Sequence, residues 1–270
     1  MGTQWIEQAN GIAWEESQLL HHAGLCHGVT GRCGGVSQGC WQSLNMSLTV
    51  GDDMQDVLEN RRRLCDALGV SVSQMTAVQQ GQGNHIVVVG KEECGSGAGS
   101  AQDALPHADA LMTNIPGALL MVQVADAVPV ILFDAKQKAC AVIHAGLYNT
   151  AAHITAKTVL AMEFVYGSQP QELMAYIGPS VCPAHLTIRR ELADALAMAN
   201  PGSKDAVREE KGAVTADVKA LQYQALCQAG LQPDHIDVSC QCVYETPQRF
   251  FSYRRDGGRT GRMAAFAMLP

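Results

Sequence analysis

Apolar and polar positions along the chain switch between two periods, and the switches mark out its elements. From Met54 to Leu68 the apolar residues Val57, Leu58, Leu64, Ala67 and Leu68 recur at helical spacing. The pattern predicts an amphipathic helix, capped by Asp52 or Asp53 and stopped by Gly69. The same reasoning places a helix from Asn149 or Thr150 toward Val165, one from Asp217 through Leu221, Ala225 and Leu226 to Gly230, and one over 190–199. Short apolar runs predict strands at 86–89, 118–124, 130–133, 139–144, 174–177, 236–239 and 262–268. The segment from Val128 to His144 reads as a hairpin that delivers an imidazole to a strand end beside Gly146, where loops tend to assemble function. Hairpins and helices alternate irregularly, so an α+β fold of mixed sheets covered by helices fits better than a repeated βαβ winding.

Composition narrows the picture. A chain of 270 residues buries a substantial core, and 47% hydrophobic against 17% charged residues describes a packed globule, expected as one domain over 1–270. The net charge of -7 argues against nucleic acid as a partner. The one basic run, Arg61-Arg62-Arg63, falls in the helical pattern and reads as a solvated face. No apolar stretch of about 18 residues appears, and the N-terminus lacks a basic region followed by an apolar one. The expectation is therefore a cytoplasmic protein with no membrane partner. Ten scattered cysteines without a Cys-x-x-Cys pair read as free thiols, and strand alternation would put Cys240 and Cys242 on one core face. Gly95 to Ser100 reads as a flexible surface loop, its spacing wrong for a phosphate cradle.

Several separated segments fall in one order along nearly the whole chain. They are Gly34-Gly35-Val36-Ser37, Ser43-Leu44-Asn45, Gly51-Asp52-Asp53, Glu59-Asn60-Arg61-Arg62-Arg63-Leu64 and Ala108-Asp109-Ala110-Leu111-Met112-Thr113. Then follow Ala125-Asp126-Ala127-Val128-Pro129-Val130, His144-Ala145-Gly146, Ile177-Gly178-Pro179 and Phe250-Phe251-Ser252-Tyr253-Arg254-Arg255-Asp256. In these the sequence resembles the laccase-domain family, also called the multicopper polyphenol oxidase or peptidoglycan editing factor family. The resemblance implies a layered α/β/β/α sandwich with mixed sheets, similar to cysteine-hydrolase-like toxin domains. It implies purine nucleoside phosphorylase activity on adenosine, inosine and guanosine, with adenosine deamination and phenol oxidation beside it. A zinc or copper held by His, Cys and His is the implied cofactor; a purine nucleoside and phosphate are the implied small-molecule partners.

Residue by residue, that ligand set is broken. The family's Gln-x-His-Gly segment falls on Gln80-Gly81-Gln82-Gly83, so Gln82 takes the first histidine's place. The Ala-Asp-Cys-x-Pro segment falls on residues 125–129, so Ala127 takes the thiol's place. Only the third ligand survives, as His144, and the Trp-Arg-Gly after it becomes Leu147-Tyr148-Asn149. A neutral amide is a poor zinc donor and a methyl group is none, so bound metal is expected to be absent or weak. A rebuilt set of His144, Cys182 and His185 is the alternative, while His85 is expected on the opposite face.

Other retained positions match the family's loops. Arg32, Ser37, Asn45, Gln82 and Arg254 are the candidate pocket residues, with a scaffold role the alternative for the arginines, and Asp126 is expected to orient His144 or the Pro129 turn. Three functions stay open. One is a degenerate member with impaired metal chemistry; the second is an active enzyme using His144 as acid or base with help from Tyr148. The third is a peptidoglycan-precursor editing hydrolase, by analogy alone.

Overall fold

The computed structural model describes residues 2–202, 205–210 and 212–270. Two six-stranded mixed sheets lie face to face. The first runs Thr3–Glu7, Ala13–Ser17, Cys26–Thr30, Met263–Met268, Leu119–Val124, Met75–Ala77, antiparallel except for its last pair. The second runs Ile236–Val238, Met174–Ile177, Val128–Asp134, Ala139–Ala145, Ala110–Thr113, Ile86–Val88, with parallel pairs at both edges. A small third sheet joins Thr187–Ile188, Ala213–Ala216 and Val207–Glu210.

Strand alternation builds the layers. In Leu119–Val124, Leu120, Val122 and Val124 enter the core between the sheets, while Leu119 and Met121 face outward into a second cluster with Leu64, Cys65 and Met75. Met263, Ala265 and Ala267 against Ala264 and Phe266 repeat the split on the neighbouring strand. Helix Met54–Leu68 covers that outer face, and helices Ile154–Tyr166 and Val218–Gln228 cover the other sheet through Ile154, Val159, Met162, Leu221 and Leu226. The order is helix, sheet, sheet, helix, the expected α/β/β/α sandwich. No helix among the described residues is long and apolar enough to cross a membrane.

Several sequence expectations needed correction. The helix expected from residue 149 or 150 to 165 is two helices, Leu147–Ala151 and Ile154–Tyr166, because His153 sits in the left-handed region at φ 61° and breaks the run. Cys240 and Cys242 share no strand face: the strand ends at Val238, leaving Cys240 exposed and Cys242 buried. All ten cysteines are free. Arg61 is not solvated but 1% exposed. Its Nε and Nη2 donate to the Met46 carbonyl and its Nη1 to those of Gly97 and Ala98, so the glycine-rich segment is fastened to the helix instead of lying loose.

The N-terminal hairpin carries an acid-sensitive joint. Ser17 N donates to His27 Nε2 at 2.9 Å, and His27 Nδ1 faces the Leu25 carbonyl at 3.0 Å, so the buried ring is held neutral with its proton on Nδ1. Burial pushes its pKa below the usual 6.5, outweighing the Leu25 hydrogen bond. The unfolded chain therefore takes up the proton first as pH falls below about 6.5, and stability is lost through that window. Melting temperature is expected to fall from pH 7 to pH 5, and the slope to flatten in His27→Gln, whose amide keeps one donor and one acceptor. Parallel slopes in the two proteins would show that another group carries the acid response.

Candidate active site

The hairpin of Val128–Asp134 and Ala139–Ala145 pairs Pro129 with His144 and brings the imidazole to the strand end. Gly146 then starts helix Leu147–Ala151, its N–H donating to Asn149 Oδ1 at 3.1 Å. A side chain at Gly146 would place its Cβ 2.9 Å from that oxygen and 3.4 Å from His144 Cε1, so glycine is needed for the close approach. The same Asn149 donates through Nδ2 to the Gly83 carbonyl at 2.8 Å, tying the His144 turn to the Gln82 loop.

Asp109 is the organising acid. It is fully buried just before strand Ala110–Thr113, the neighbour of the His144 strand, and its backbone carbonyl accepts from His144 N at 2.8 Å. Its carboxylate accepts from Gln82 N at 3.1 Å and Gly83 N at 2.7 Å, and Oδ1 stands 3.4 Å from His144 Nδ1. At that distance the approach to His144 is an electrostatic contact, and the buried Nδ1 has no hydrogen-bond partner of proper geometry. Burial pushes the Asp109 carboxyl up, but His144 and the two loop amides more than offset it, and the acid stays below its ordinary range.

Asp126 is expected from the sequence to orient His144 or the Pro129 turn; the carboxylate beside His144 is that of Asp109. Asp126, at φ 81°, accepts from Ser252 Oγ at 2.6 Å and Arg254 N at 2.7 Å, and its carbonyl accepts from Val181 N. It joins the C-terminal signature to the strand instead of orienting His144. Burial raises its pKa against those two hydrogen bonds.

Gln82 and His144 face a cavity of about 630 Å³, which Tyr148, Arg61, Tyr253 and Arg262 also line. The His144 side chain is 13% exposed, and Tyr148 stands largely in solvent. The segment at 97–104, part of which reads in sequence as a surface loop, contributes wall through Gly97, Ala101 and Ala104. Two cations give the cavity its character. Burial brings the Arg61 guanidinium down to about 10, still charged at neutral pH, and burial likewise lowers Arg262, which lies 5.4 Å over the Tyr253 ring. Neither guanidinium has a carboxylate hydrogen-bonded to it, since their donors go to backbone carbonyls. Such a wall attracts an anion or a ring rich in acceptor atoms.

Of the other expected pocket residues, three are bonded within the fold away from the large cavity. Ser37 donates to Asp52 and accepts from Asn60, and Asn45 bonds Asp52, Ser47 and the Arg262 N–H. Arg32 donates to the Gln42 and Pro247 carbonyls and stacks 4.6 Å over Phe251. None of them lines the large cavity. Arg254 is exposed, donates to the Thr187 carbonyl and borders a small adjoining cavity with Ala127. Arg255 is an internal clamp on Asp256 and on the Val243 and Phe250 carbonyls.

At Gln82, Ala127 and His144, the positions the resemblance aligns with the family's ligands, stand an amide, a methyl group and one imidazole, whereas a borderline-soft ion takes three or four good donors. Nor is His144 joined by Cys182 and His185: among the described residues the one His, Cys and carboxylate cluster close enough to share an ion is Cys182, His185 and Glu245. His85 is exposed and outside the cavity wall.

Comparison with known proteins gives these features a setting. The family model described as multi-copper polyphenol oxidoreductase laccase matches residues 26–270. Purine nucleoside phosphorylase YlmD of Geobacillus stearothermophilus is 35% identical over 263 residues, 97% of this chain and 96% of its own. Purine nucleoside phosphorylase YfiH of Escherichia coli is 30% identical over 238 residues, covering 88% and 91%. The crystal structure of YlmD from Geobacillus stearothermophilus superposes with a TM-score of 0.93 at 33% identity, over 98% of both chains.

Proposed function

The chain belongs to the multi-copper polyphenol oxidoreductase laccase family, and from that premise we propose that it is a member with a nucleoside-sized pocket and impaired metal-dependent phosphorolysis. The observation that carries the reading is the isolation of His144. Its two partner positions hold Gln82 and Ala127, and the nearest acid, Asp109, already receives both loop amides. A volume of about 630 Å³ suits a purine nucleoside with phosphate, and Arg61 and Arg262 supply the positive wall an anion requires. Zinc or copper at this centre is expected below one per chain.

A second reading rests on Asp109. An acid 3.4 Å from the far nitrogen of a cavity-facing imidazole is the arrangement that lets a histidine move a proton. In that reading His144 acts as general acid or base in phosphorolysis or deamination, with Tyr148 beside it.

Base release from adenosine and inosine with phosphate, in wild type and His144→Ala, decides between them. Under the first reading the two rates are indistinguishable from background while calorimetry still detects nucleoside binding to the wild type. A wild-type rate that falls about 100-fold or more in His144→Ala, and in part in Asp109→Asn, overturns it in favour of the second. Loss of all nucleoside binding in the wild type overturns both.

A further inference from the structure

Outside the cavity, two tight turns bring soft and hard ligand atoms together. The first follows strand Met174–Ile177: Val181 N is bonded to the Asp126 carbonyl, and a short helical turn, Pro183–His185, carries Cys182 at its start and His185 at its end. The second is the turn at 242–246, closed by Glu245 N and Thr246 N onto the Cys242 carbonyl. A bridge between Ser180 and Cys242, with Val243 N donating to the Ser180 carbonyl, fixes the turns against each other.

From this frame Cys182 Sγ, His185 Nε2 and a Glu245 carboxylate oxygen all lie within 4.8 Å of one another. His185 Nε2 stands 3.0 Å and Cys182 Sγ 3.6 Å from Glu245 Oε1. Tetrahedral zinc, with bonds of about 2.0–2.1 Å to nitrogen, 2.0–2.2 Å to oxygen and 2.3 Å to sulfur, sets edges of roughly 3.3 Å between N and O and 3.6 Å between S and O. The two spacings to the Glu245 carboxylate need only a few tenths of an ångström of adjustment. The imidazole is held for it, stacked on Tyr244 at 4.0 Å between centroids with 12° between planes. A further sulfur, Cys242 Sγ, accepts from Cys182 N at 3.3 Å beside the group.

We propose that Cys182, His185 and Glu245 form a zinc site separate from the large cavity, stapling the turn at 182–185 to the turn at 242–246. Thiolate with imidazole and carboxylate selects zinc over calcium or magnesium, which take oxygen ligands. Each ligand is exposed or partly so, which leaves the group open to an ion from solution. The inference stands independently of any catalytic role for His144.

The test uses the full chain, kept reduced with a non-thiol reductant, stripped by chelator and titrated with cobalt(II) and zinc. One cobalt per chain is expected, with a thiolate-to-cobalt charge-transfer band in the near ultraviolet and a rise in melting temperature with zinc. Cys182→Ser should abolish the band and weaken zinc binding at least about tenfold. Glu245→Gln, a change at an exposed position, should weaken binding and keep the band. His144→Ala should leave cobalt binding unchanged. A band absent from the wild type, a band that survives Cys182→Ser, or binding lost in His144→Ala would each overturn the proposal. Only the last would also overturn the reading of a dismantled metal centre at His144; the other two outcomes leave that reading standing.

Discussion

Arg61→Ala is expected to lower the melting temperature by roughly 6–12 °C, from a loss of about 3–5 kcal/mol. The guanidinium is 1% exposed and satisfies the carbonyls of Met46, Gly97 and Ala98, which come from two separate segments. Removing it leaves three acceptors short of a donor and frees the wall segment at 97–104. Arg61→Lys should recover less than half of the loss. An ammonium has a single nitrogen, whereas the Met46 and Gly97 oxygens lie on different arms of a planar fork. Arg62→Ala, one position along and exposed, is the control: its partner Asp66 is exposed and Glu59 partly so, and the melting temperature should stay within error. Thermal denaturation of the three variants is the measurement. Equal losses for Arg61→Ala and Arg62→Ala would mean that the helix, not the buried fork, sets the effect.

Arg61 also marks where sequence pattern stops being informative. Helix Met54–Leu68, its Asp53 cap and its Gly69 stop are legible because each rests on local chemistry: periodic apolar residues, an oxygen that accepts from Gln55 N, and a left-handed terminus. Strands Met174–Ile177 and Leu119–Val124 are legible as apolar runs. Which of three consecutive arginines turns inward depends on carbonyls 15 to 37 residues away, and no local period records that. The N-terminal strands Thr3–Glu7 and Ala13–Ser17 went unread for a related reason. Ala13–Ser17 is buried throughout yet carries Glu15 and Glu16, whose partners are Tyr176 in the second sheet and Trp14 and Gln4 nearby. Charged residues in a strand look like loop until those partners are known.

The candidate site divides along the same line. His144, Gln82 and Ala127 were placed by motif, because a ligand series with one survivor keeps its neighbours. The motif at 108–113 does not reveal the role of Asp109, since an acid just before strand Ala110–Thr113 becomes His144's neighbour only when Ile143 pairs with Ala110. Arg262 stands at the start of an apolar strand signal that gives no hint of its place in the cavity wall.

Installing Gln82→His and Ala127→Cys together is expected to return a zinc site to His144, tightening zinc binding by roughly 100-fold or more over the parent. Both proteins should carry Cys182→Ser, so that the turn site does not contribute. The backbone accepts the two changes. Gln82 already lies in the left-handed region at φ 56°, where histidine is among the better tolerated side chains. Ala127 borders a cavity of about 130 Å³, several times the roughly 30 Å³ that one water occupies in the liquid, so a sulfur enters without overpacking. Asp109 and Asn149 hold the Gln82 loop and the His144 turn whatever side chain stands at 82, since their bonds go to backbone N–H groups and a carbonyl. Elemental analysis should therefore give one zinc per chain in the restored protein, removed again by His144→Ala. A folded double variant without stoichiometric zinc would show that the loops themselves have moved apart. Zinc regained without base release from inosine and phosphate would place the remaining loss at Leu147, Tyr148 and Asn149, where the family pattern has Trp, Arg and Gly. Zinc regained with base release would mean that two side chains are all that separates this cavity from the family's chemistry.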